Sequence, residues 1–403
     1  MATHVDYSGP AGRDRRIDIL RGASIVLLGL QLIVHVLFPS NLPFEATATI
    51  SGIAFIVVTE GALVGMLYRP RVASGILGEA ILRLARRARG WFIAAVVLTV
   101  GMLVISFVPY IDTTAVTTFA IDPGTRIELF SPPSTESGDV VLTYPIDPNI
   151  ILNVILLRLG PWPFDVVALL ALLFLVAPLG LWALSRGKWA ALLGVSLALY
   201  VLEIFTGLRI LPTRAEYDLP VLGWQFLFFL GMTAGHYRRE LVAWFKRPIG
   251  RVIFSVLAIA SIGWMLLPLV LEFQSPGVLP DLLASITGSH TSWLFEPSAP
   301  GPTRVVASLI LLFVGYGVLT RWWRPLGSVL AFLIAPLGER ILLSLVLLVI
   351  AAIFVANIAP SVSWLPPIIT SLLVLAVIRL IIAVVDRVER RSKAERLAKG
   401  AIA

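Results

Sequence analysis

The segment IDILRGASIVLLGLQLIVHVLF (residues 17–38) contains 22 residues, and Asp18 and Arg21 are its only Asp, Glu, Lys or Arg side chains. An apolar run of about 17–25 residues is long enough to cross the hydrocarbon core of a bilayer as an α-helix. Buried helices of soluble proteins usually show shorter runs. The segment is therefore predicted to be a membrane-spanning helix whose charged start lies at the membrane surface.

Nine similar runs follow, at 48–68, 91–110, 163–184, 188–207, 220–236, 251–272, 303–320, 341–358 and 365–385. Hydrophobic residues make up 58% of the chain and charged residues 14%, against about 25% charged residues in a typical soluble domain. The mean hydropathy is +0.92. The sequence thus predicts an all-α integral membrane protein, a bundle of about ten transmembrane helices. A shorter apolar stretch, 326–336, predicts a half-helix or a re-entrant segment.

The Lys and Arg residues predict the orientation of this bundle. If the N-terminus is inside, 27 of the 32 Lys and Arg residues fall on inner segments. The outer segments then hold Arg126, Arg158, Arg209, Arg214 and Arg304. Because positive charge is retained on the cytoplasmic side, both chain ends are predicted to be cytoplasmic. The net charge of +8 is thereby interpreted as anchoring against anionic membrane lipids, and no nucleic-acid partner is expected.

The domain organisation follows from these spans. We predict a cytoplasmic tail at 1–16, a single polytopic membrane domain at 17–385 and a basic cytoplasmic tail at 386–403. Two sizeable outer loops, 111–162 and 273–302, connect the spans. Long loops in compact membrane proteins are often functional covers or substrate platforms.

Cysteine and histidine usage limits the chemistry. The chain has no cysteine, which excludes disulfides, thiolate metal sites and cysteine nucleophiles. Its four histidines are far apart and show no HxxxH or HExxH spacing. We therefore expect neither a metal site nor a bound cofactor.

The first span carries candidate chemistry at both ends. Arg16, Asp18 and Arg21 lie at its inner end, and Gln31 and His35 lie near its outer end. The fourteen residues from Arg21 to His35 correspond to about 21 Å along a helix, with both side chains on roughly one face. Imidazole is a general base near neutral pH, although a histidine satisfied at the membrane interface is the alternative. For Asp18 and Arg21 the alternative is a simple i,i+3 ion pair.

Glu60 is the charged residue inside the second span. A carboxylate in this position must pair, become protonated or face a cavity. Gly61 and Gly65 beside it favour the close approach of another helix. The alternatives are a catalytic or orienting carboxylate and an ion pair with an arginine.

Two further groups of residues can be interpreted either as functional or as ordinary contacts with the membrane. Arg83, Arg86 and Arg87 share one helical face, which suits the phosphates of a nucleotide-bearing donor or, alternatively, an amphipathic helix on anionic lipid. Trp224 and Gln225 begin the sixth span. Tryptophan there is typical of interface anchoring, and Gln225 is a possible substrate contact.

Five stretches together resemble the OpgC-type glucan succinyltransferases and the wider group of membrane acyltransferases that includes acyltransferase family 3. They are RDRRIDILRG (13–22), TEGALVGMLYRPR (59–71), ILRLARRARGWF (81–92), LRLGPWPFDVVALLALLFLVAPLGLWAL (157–184) and GWQFLFFLGMTAGHYRR (223–239). They occur in the family's order, and the region from the first to the last stretch, 13–239, is more than half of the chain. The wider group places a histidine where this chain has Leu32 and a serine where it has Glu60. PLGERILLSL (336–345) also lacks the histidine expected after it.

The resemblance implies transfer of a succinyl or acetyl group from cytoplasmic acyl-CoA to an envelope glycan or glycolipid, in a bacterial inner membrane. His35 would be the base or acyl carrier, oriented by Gln31 or Glu60. The donor would be bound by Arg16, Asp18, Arg21, Arg83, Arg86 and Arg87. The acceptor would be bound by Asp165, Trp224 and Gln225. The alternatives are a transporter or flippase of a lipid-linked glycan, and a catalytically silent scaffold, which the loss of histidine at Leu32 keeps open.

Overall fold

The computed structural model describes residues 14–37, 51–106, 165–208, 219–273, 301–362 and 366–400. Between 106 and 165 it describes only residues 108, 110–111, 113, 118–122, 125–128, 152 and 154–157. Every structural statement below refers to these residues. Only the backbone is described at residues 35, 72–73, 118–122, 125–128, 261–273, 303, 359–362 and 393–400.

The described part of the chain is almost entirely helical. The helices are α1 (Arg15–Leu37), α2 (Gly52–Ala73), α3 (Leu77–Ser106), α4 (Asp165–Ser185), α5 (Trp189–Thr206), α6 (Val221–His236), α7 (Arg238–Phe245), α8 (Pro248–Phe273), α9 (Pro302–Arg321), α10 (Ser328–Leu333), α11 (Ala335–Glu339), α12 (Ile341–Val362) and α13 (Pro367–Gly400). A π-helical turn, Trp323–Gly327, joins α9 to α10. Two short antiparallel strands, β1 (Thr118–Asp122) and β2 (Thr125–Glu128), form a hairpin.

Eight helices of the described ranges are long and apolar enough to cross a membrane: α1, α2, α3, α4, α5, α9, α12 and α13. Two other predicted spans coincide with the 16-residue α6 and with α8. The fold class predicted from the sequence, an all-α membrane bundle, is confirmed. The number of ten spans and the orientation stay predictions.

Helices α2 and α6 form the closest packing in the centre of the bundle. A Cβ atom added at Gly65 would lie 1.9 Å from the Met232 carbonyl oxygen, and one at Gly235 would lie 2.0 Å from the Ala62 carbonyl oxygen. Contacts this short require glycine, because any side chain would separate the two backbones. The prediction that Gly61 and Gly65 favour a close helix contact is confirmed.

The segment predicted as a half-helix is indeed broken. It includes the end of the π-helical turn, the six-residue α10 and the start of the five-residue α11, with Pro336 in the first turn of α11. Helix α11 packs on the first part of α1: a Cβ atom at Gly338 would lie 2.1 Å from the Asp18 carbonyl oxygen. This contact brings Glu339 and Arg340 beside the charged end of α1.

Candidate functional site

A buried cluster of charges connects the three helices α1, α2 and α3. The Arg21 guanidinium donates from Nε to Glu60 Oε1 at 2.6 Å, and its Nη2 lies 2.5 Å from the same oxygen. Arg87 donates from Nη2 to Glu60 Oε2 at 2.6 Å. Arg21 also donates from Nη1 to Asp18 Oδ1 at 3.2 Å. Both oxygens of Glu60 are thus occupied by arginines from two different helices.

Because these charges are buried, each of them needs a partner of opposite charge. The Glu60 side chain is 0% exposed and that of Arg21 is 3% exposed. An unpaired charge at such depth would carry a large desolvation cost. Arg87 is held further by the Phe174 ring, whose centroid lies 4.4 Å from its Cζ. The sequence allowed Glu60 to pair with an arginine and Asp18 to pair with Arg21, and both pairs are present.

A cavity of about 410 Å³ opens beside this cluster. We call it the inner cavity; it is lined by Arg21, Leu63, Leu67, Arg87, Trp91, Glu339, Arg340, Ile341, Leu342 and Leu343. Arg340 is held at its edge by Glu389, at 2.9 Å, and by Asp386, at 2.8 Å. The hydrogen bond to Glu389 raises the pKa of Arg340, whose guanidinium is cationic at physiological pH in any case.

A second charged cluster lies at the start of α1. Asp14 Oδ1 accepts from Arg16 Nε at 2.9 Å, and Asp14 Oδ2 accepts from Arg16 Nη2 and Arg238 Nη1 at 2.7 Å and from the Tyr316 hydroxyl at 2.9 Å. Arg16 also donates from Nη1 to Thr320 Oγ1 at 2.8 Å. Burial raises the pKa of Asp14, but the hydrogen bonds and charges of Arg16, Tyr316 and Arg238 outweigh it and hold the pKa below its ordinary value.

A larger cavity, of about 460 Å³, adjoins this second cluster. We call it the α7 cavity; it is lined by Ile17, Ala62, Met66, Ala234, Gly235, Arg238, Leu241, Val242, Phe245, Lys246, Arg251, Phe254, Leu312, Phe313, Tyr316, Gly317, Thr320 and Arg321. A third cavity, of about 440 Å³, lies between the other two and is lined by Met66, Leu67, Pro70, Arg71, Ser74, Arg238 and Arg239. Leu67 is shared with the inner cavity, and Met66 and Arg238 are shared with the α7 cavity. The three cavities therefore adjoin one another along one end of the bundle.

The predicted arginine face of α3 divides between two environments. Arg87 turns inward to Glu60, whereas Arg83 is exposed and donates to Glu79 one turn earlier, from Nη2 at 2.5 Å. Arg86 is exposed. The structure thus brings Arg87 to Arg21 and Glu60 and leaves Arg83 and Arg86 on the surface.

The candidates at the predicted outer end have structural contacts. Gln31 Oε1 accepts from the Gly52 backbone N–H at 2.9 Å and so caps the start of α2. The His35 side chain lies outside the described part of the chain. Leu32, where the wider group has histidine, is 1% exposed within the hydrophobic core. Since Arg21 and His35 are about 21 Å apart along α1, Glu60 lies near the level of Arg21 and away from that of His35.

The residues predicted to bind the acyl acceptor lie on α4 and α6. Gln225 Oε1 accepts from the Ser196 hydroxyl at 2.6 Å, and its Nε2 donates to the carbonyl oxygens of Ser196 at 2.8 Å and Leu222 at 3.0 Å. Trp224 is fully buried, and Asp165 is buried in the first turn of α4. Gln225 therefore connects α5 to α6.

Sequence reasoning did not select Asp14, Arg238, Tyr316 or Arg340. Asp14 was visible only as part of the RDRRIDILRG stretch, and Arg238 and Arg340 were counted only as inner-side charges. Their shared role depends on contacts such as that between Asp14 and Tyr316, which are 302 residues apart. No local pattern signals such a contact.

The fold and these two charged clusters define a multi-pass helical membrane protein with a cationic, cavity-bearing end. The sequence profile of the family described as OpgC protein matches residues 13–394, nearly the whole chain. The chain belongs to this family, which suggests a membrane glucan succinyltransferase-type role. Comparisons with curated proteins and with solved structures give no significant match.

Proposed function

We propose that this protein is a membrane O-acyltransferase that moves a succinyl or acetyl group from cytoplasmic acyl-CoA to a hydroxyl group of an envelope glycan or glycolipid. It would lie in the inner membrane of a bacterial cell, with both chain ends in the cytoplasm. Family membership supports the reaction class, and the distribution of Lys and Arg supports the orientation.

The inner cavity is the observation that carries the proposal. Three arginines, Arg21, Arg87 and Arg340, line it from three different elements, and the cavity is next to the buried Glu60 carboxylate. Guanidinium groups bind phosphates through paired, charge-assisted hydrogen bonds. Each of these arginines is also paired with a carboxylate, so a donor phosphate would be bound by their remaining N–H groups.

The other residues of the donor set would act in two ways. Arg83 and Arg86, on the exposed face of α3, would attract the phosphates of coenzyme A from the cytoplasm. Arg16 and Asp18 are already paired inside the protein, so they would fix the start of α1. Glu60 would hold the guanidinium groups of Arg21 and Arg87 in place.

The chemical step needs a base near the acceptor, and His35 is the residue that we propose. Its imidazole would take the proton of the acceptor hydroxyl as the oxygen attacks the thioester carbonyl carbon. The carbon–sulfur bond then breaks, and the coenzyme A thiolate leaves and takes up a proton. The pantetheine arm of the donor would run along α1 from the inner cavity toward His35. The outer ends of α4 and α6, with Asp165, Trp224 and Gln225, would border the acceptor.

Mass spectrometry of envelope glycans and glycolipids tests the proposal. A deletion strain would be compared with strains rescued by the wild-type chain, by His35→Ala and by His4→Ala, a matched control in the predicted tail. We expect a defined acyl mass to be lost in the deletion and restored by the wild type and His4→Ala only. Immunoblotting would establish that all variants accumulate equally.

Two other results would change the proposal in different ways. Restoration by His35→Ala would keep acyl transfer and remove His35 as the base. Unchanged acylation in all strains would overturn the enzyme function, and transport of a lipid-linked glycan or a scaffold role would replace it.

A further inference from the structure

The α7 cavity has an apolar interior. Phe245 is part of its lining, with the Phe254 ring centroid 6.1 Å away and the Phe313 ring centroid 5.8 Å away. Leu241 and Leu312 add aliphatic surface to the lining. Its volume of about 460 Å³ is within the usual range of ligand sites, about 300–1,000 Å³.

The hydroxyl groups of this lining already have partners. The Tyr316 hydroxyl donates to Asp14, and the Thr320 hydroxyl accepts from Arg16 and donates to the Tyr316 carbonyl oxygen at 2.6 Å. A sugar or a nucleobase would lose its hydrogen bonds to water here and find few replacements. Hydrocarbon has no such loss, so the interior favours an acyl chain.

Positive charges surround the mouth of the cavity. Lys246, Arg251 and Arg321 are exposed, and within the described ranges none of these three side chains has a hydrogen-bond or ion-pair partner. Arg238 is a fourth cation of the lining and is bound to Asp14. The carboxylate of Asp14 is therefore already matched, and three cations are left for an external anion.

The four cations come from the ends of helices that the predicted orientation places at the cytoplasmic surface. Arg238 begins α7, Lys246 follows it, Arg251 lies in the first turn of α8, and Arg321 ends α9. Trp322 is exposed directly after α9. Tryptophan and basic residues at this level are typical of contact with lipid headgroups.

We propose that the α7 cavity binds one anionic phospholipid of the cytoplasmic leaflet. One acyl chain would lie among Phe245, Phe254 and Phe313, and the headgroup phosphate would bind Lys246, Arg251 and Arg321. The charge of the mouth and the apolar interior together favour a lipid over the two related anions, a free phosphate and an acyl-CoA. The proposal does not depend on acyl transfer and stands if that function fails.

Native mass spectrometry of the full chain in an uncharged detergent tests the site. The delipidated protein would be titrated separately with phosphatidylglycerol, phosphatidylcholine, glycerophosphoglycerol, inorganic phosphate and succinyl-CoA. We expect one phosphatidylglycerol to bind saturably and phosphatidylcholine at least about tenfold more weakly, since each basic residue near a headgroup contributes about 1 kcal/mol, and tenfold is about 1.4 kcal/mol. Glycerophosphoglycerol, which is the headgroup alone, and inorganic phosphate should not displace phosphatidylglycerol at equal concentration.

Two variants with matched controls locate the lipid. The triple variant K246Q/R251Q/R321Q should weaken phosphatidylglycerol binding at least about tenfold, whereas R387Q/R390Q/R391Q, which removes three exposed charges of α13, should not. Val242→Trp should fill the cavity and weaken binding, while Val252→Trp on the exposed face of α8 should not. Retained folding would be checked by gel filtration and thermal unfolding.

Three results would overturn the proposal. Equal weakening by both charge triples would indicate diffuse attraction without a site. Competition by inorganic phosphate or glycerophosphoglycerol would indicate an anion site that needs no acyl chain. Binding of succinyl-CoA that is lost in K246Q/R251Q/R321Q, with no saturable lipid, would assign the cavity to the donor.

Discussion

Arg21 and Glu60 are bound to each other across α1 and α2 by two nitrogens of one guanidinium group, at 2.6 Å and 2.5 Å from the same carboxylate oxygen. They are 39 residues apart in the sequence. Arg87 occupies the second oxygen of Glu60 at 2.6 Å. These two ion pairs therefore connect the first three helices at the end of the bundle where the inner cavity opens.

Removal of the Glu60 charge should destabilise the protein strongly. In Glu60→Gln the buried Arg21 and Arg87 lose their shared counter-charge, so we expect a loss of about 3–5 kcal/mol in the free energy of unfolding. Glu79→Gln is the matched control, because it breaks an exposed i,i+4 pair with Arg83 worth about 0.5 kcal/mol or less. Chemical unfolding in detergent micelles measures both, and equal effects of the two variants would contradict the structural role of the cluster.

The α2–α6 contact should not tolerate a methyl group. Gly65→Ala places a Cβ atom on the Met232 carbonyl oxygen, so we expect a loss of about 1–3 kcal/mol in stability. Gly194→Ala in α5 is the control, since nothing lies within 4 Å of its added Cβ, and we expect it to be neutral or stabilising by up to about 1 kcal/mol. Thermal unfolding of both variants is the measurement. If Gly65→Ala were as stable as the wild type, α2 and α6 would have to separate readily.

Gln31 should behave as a helix cap. Gln31→Leu removes the acceptor of the Gly52 N–H, with an expected cost of about 0.5–2 kcal/mol, and Gln31→Glu, which retains an acceptor, should restore much of it. The measurement is thermal stability together with acylated glycan per folded protein. If Gln31→Leu abolished acylation without loss of stability, the side chain would act in the reaction and not as a cap.

Asp14 should make stability depend on pH in the acid range. Its pKa is lowered in the folded protein, because Arg16, Tyr316 and Arg238 outweigh the effect of burial. A lowered folded pKa gives stability that is present above the unfolded pKa and is lost as the pH falls through the folded value. The wild type should therefore exceed Asp14→Asn in melting temperature at neutral pH, and the difference should shrink below about pH 4. A difference that is constant with pH would show that the Asp14 charge does not contribute.

The residues that the sequence assigned most accurately are those whose role is local. The apolar runs predicted the spans because hydrophobic length is read along one segment. The i,i+3 pair of Asp18 and Arg21 was one of the two interpretations that their spacing offered, and Gly61 and Gly65 were predicted to favour a close helix contact. The break at 326–336 was indicated by Pro336 at the end of the segment and Gly338 just after it.

The candidate functional site could be predicted only in part from the sequence. The sequence placed Arg21, Glu60 and Arg87 among the candidates, but assigned Glu60 to either His35 or an arginine. Two arginines from different helices are its partners, and that choice depends on how α1, α2 and α3 pack side by side. The cluster of Asp14 with Tyr316 was not predicted at all, because the two residues are 302 positions apart.

The sequence by itself determined that the protein is a helical membrane bundle, and it identified Asp18, Arg21 and Glu60 as charges within its apolar segments. The tertiary structure alone decided which buried charges meet, that the arginines of α3 divide between the core and the surface, and that basic helix ends surround the apolar α7 cavity. Burial of an apolar segment in lipid depends on its own composition, whereas ion pairs and cavities depend on the lateral contacts between helices. Those contacts follow from side-chain shape over many helices at once, and no single segment contains that information.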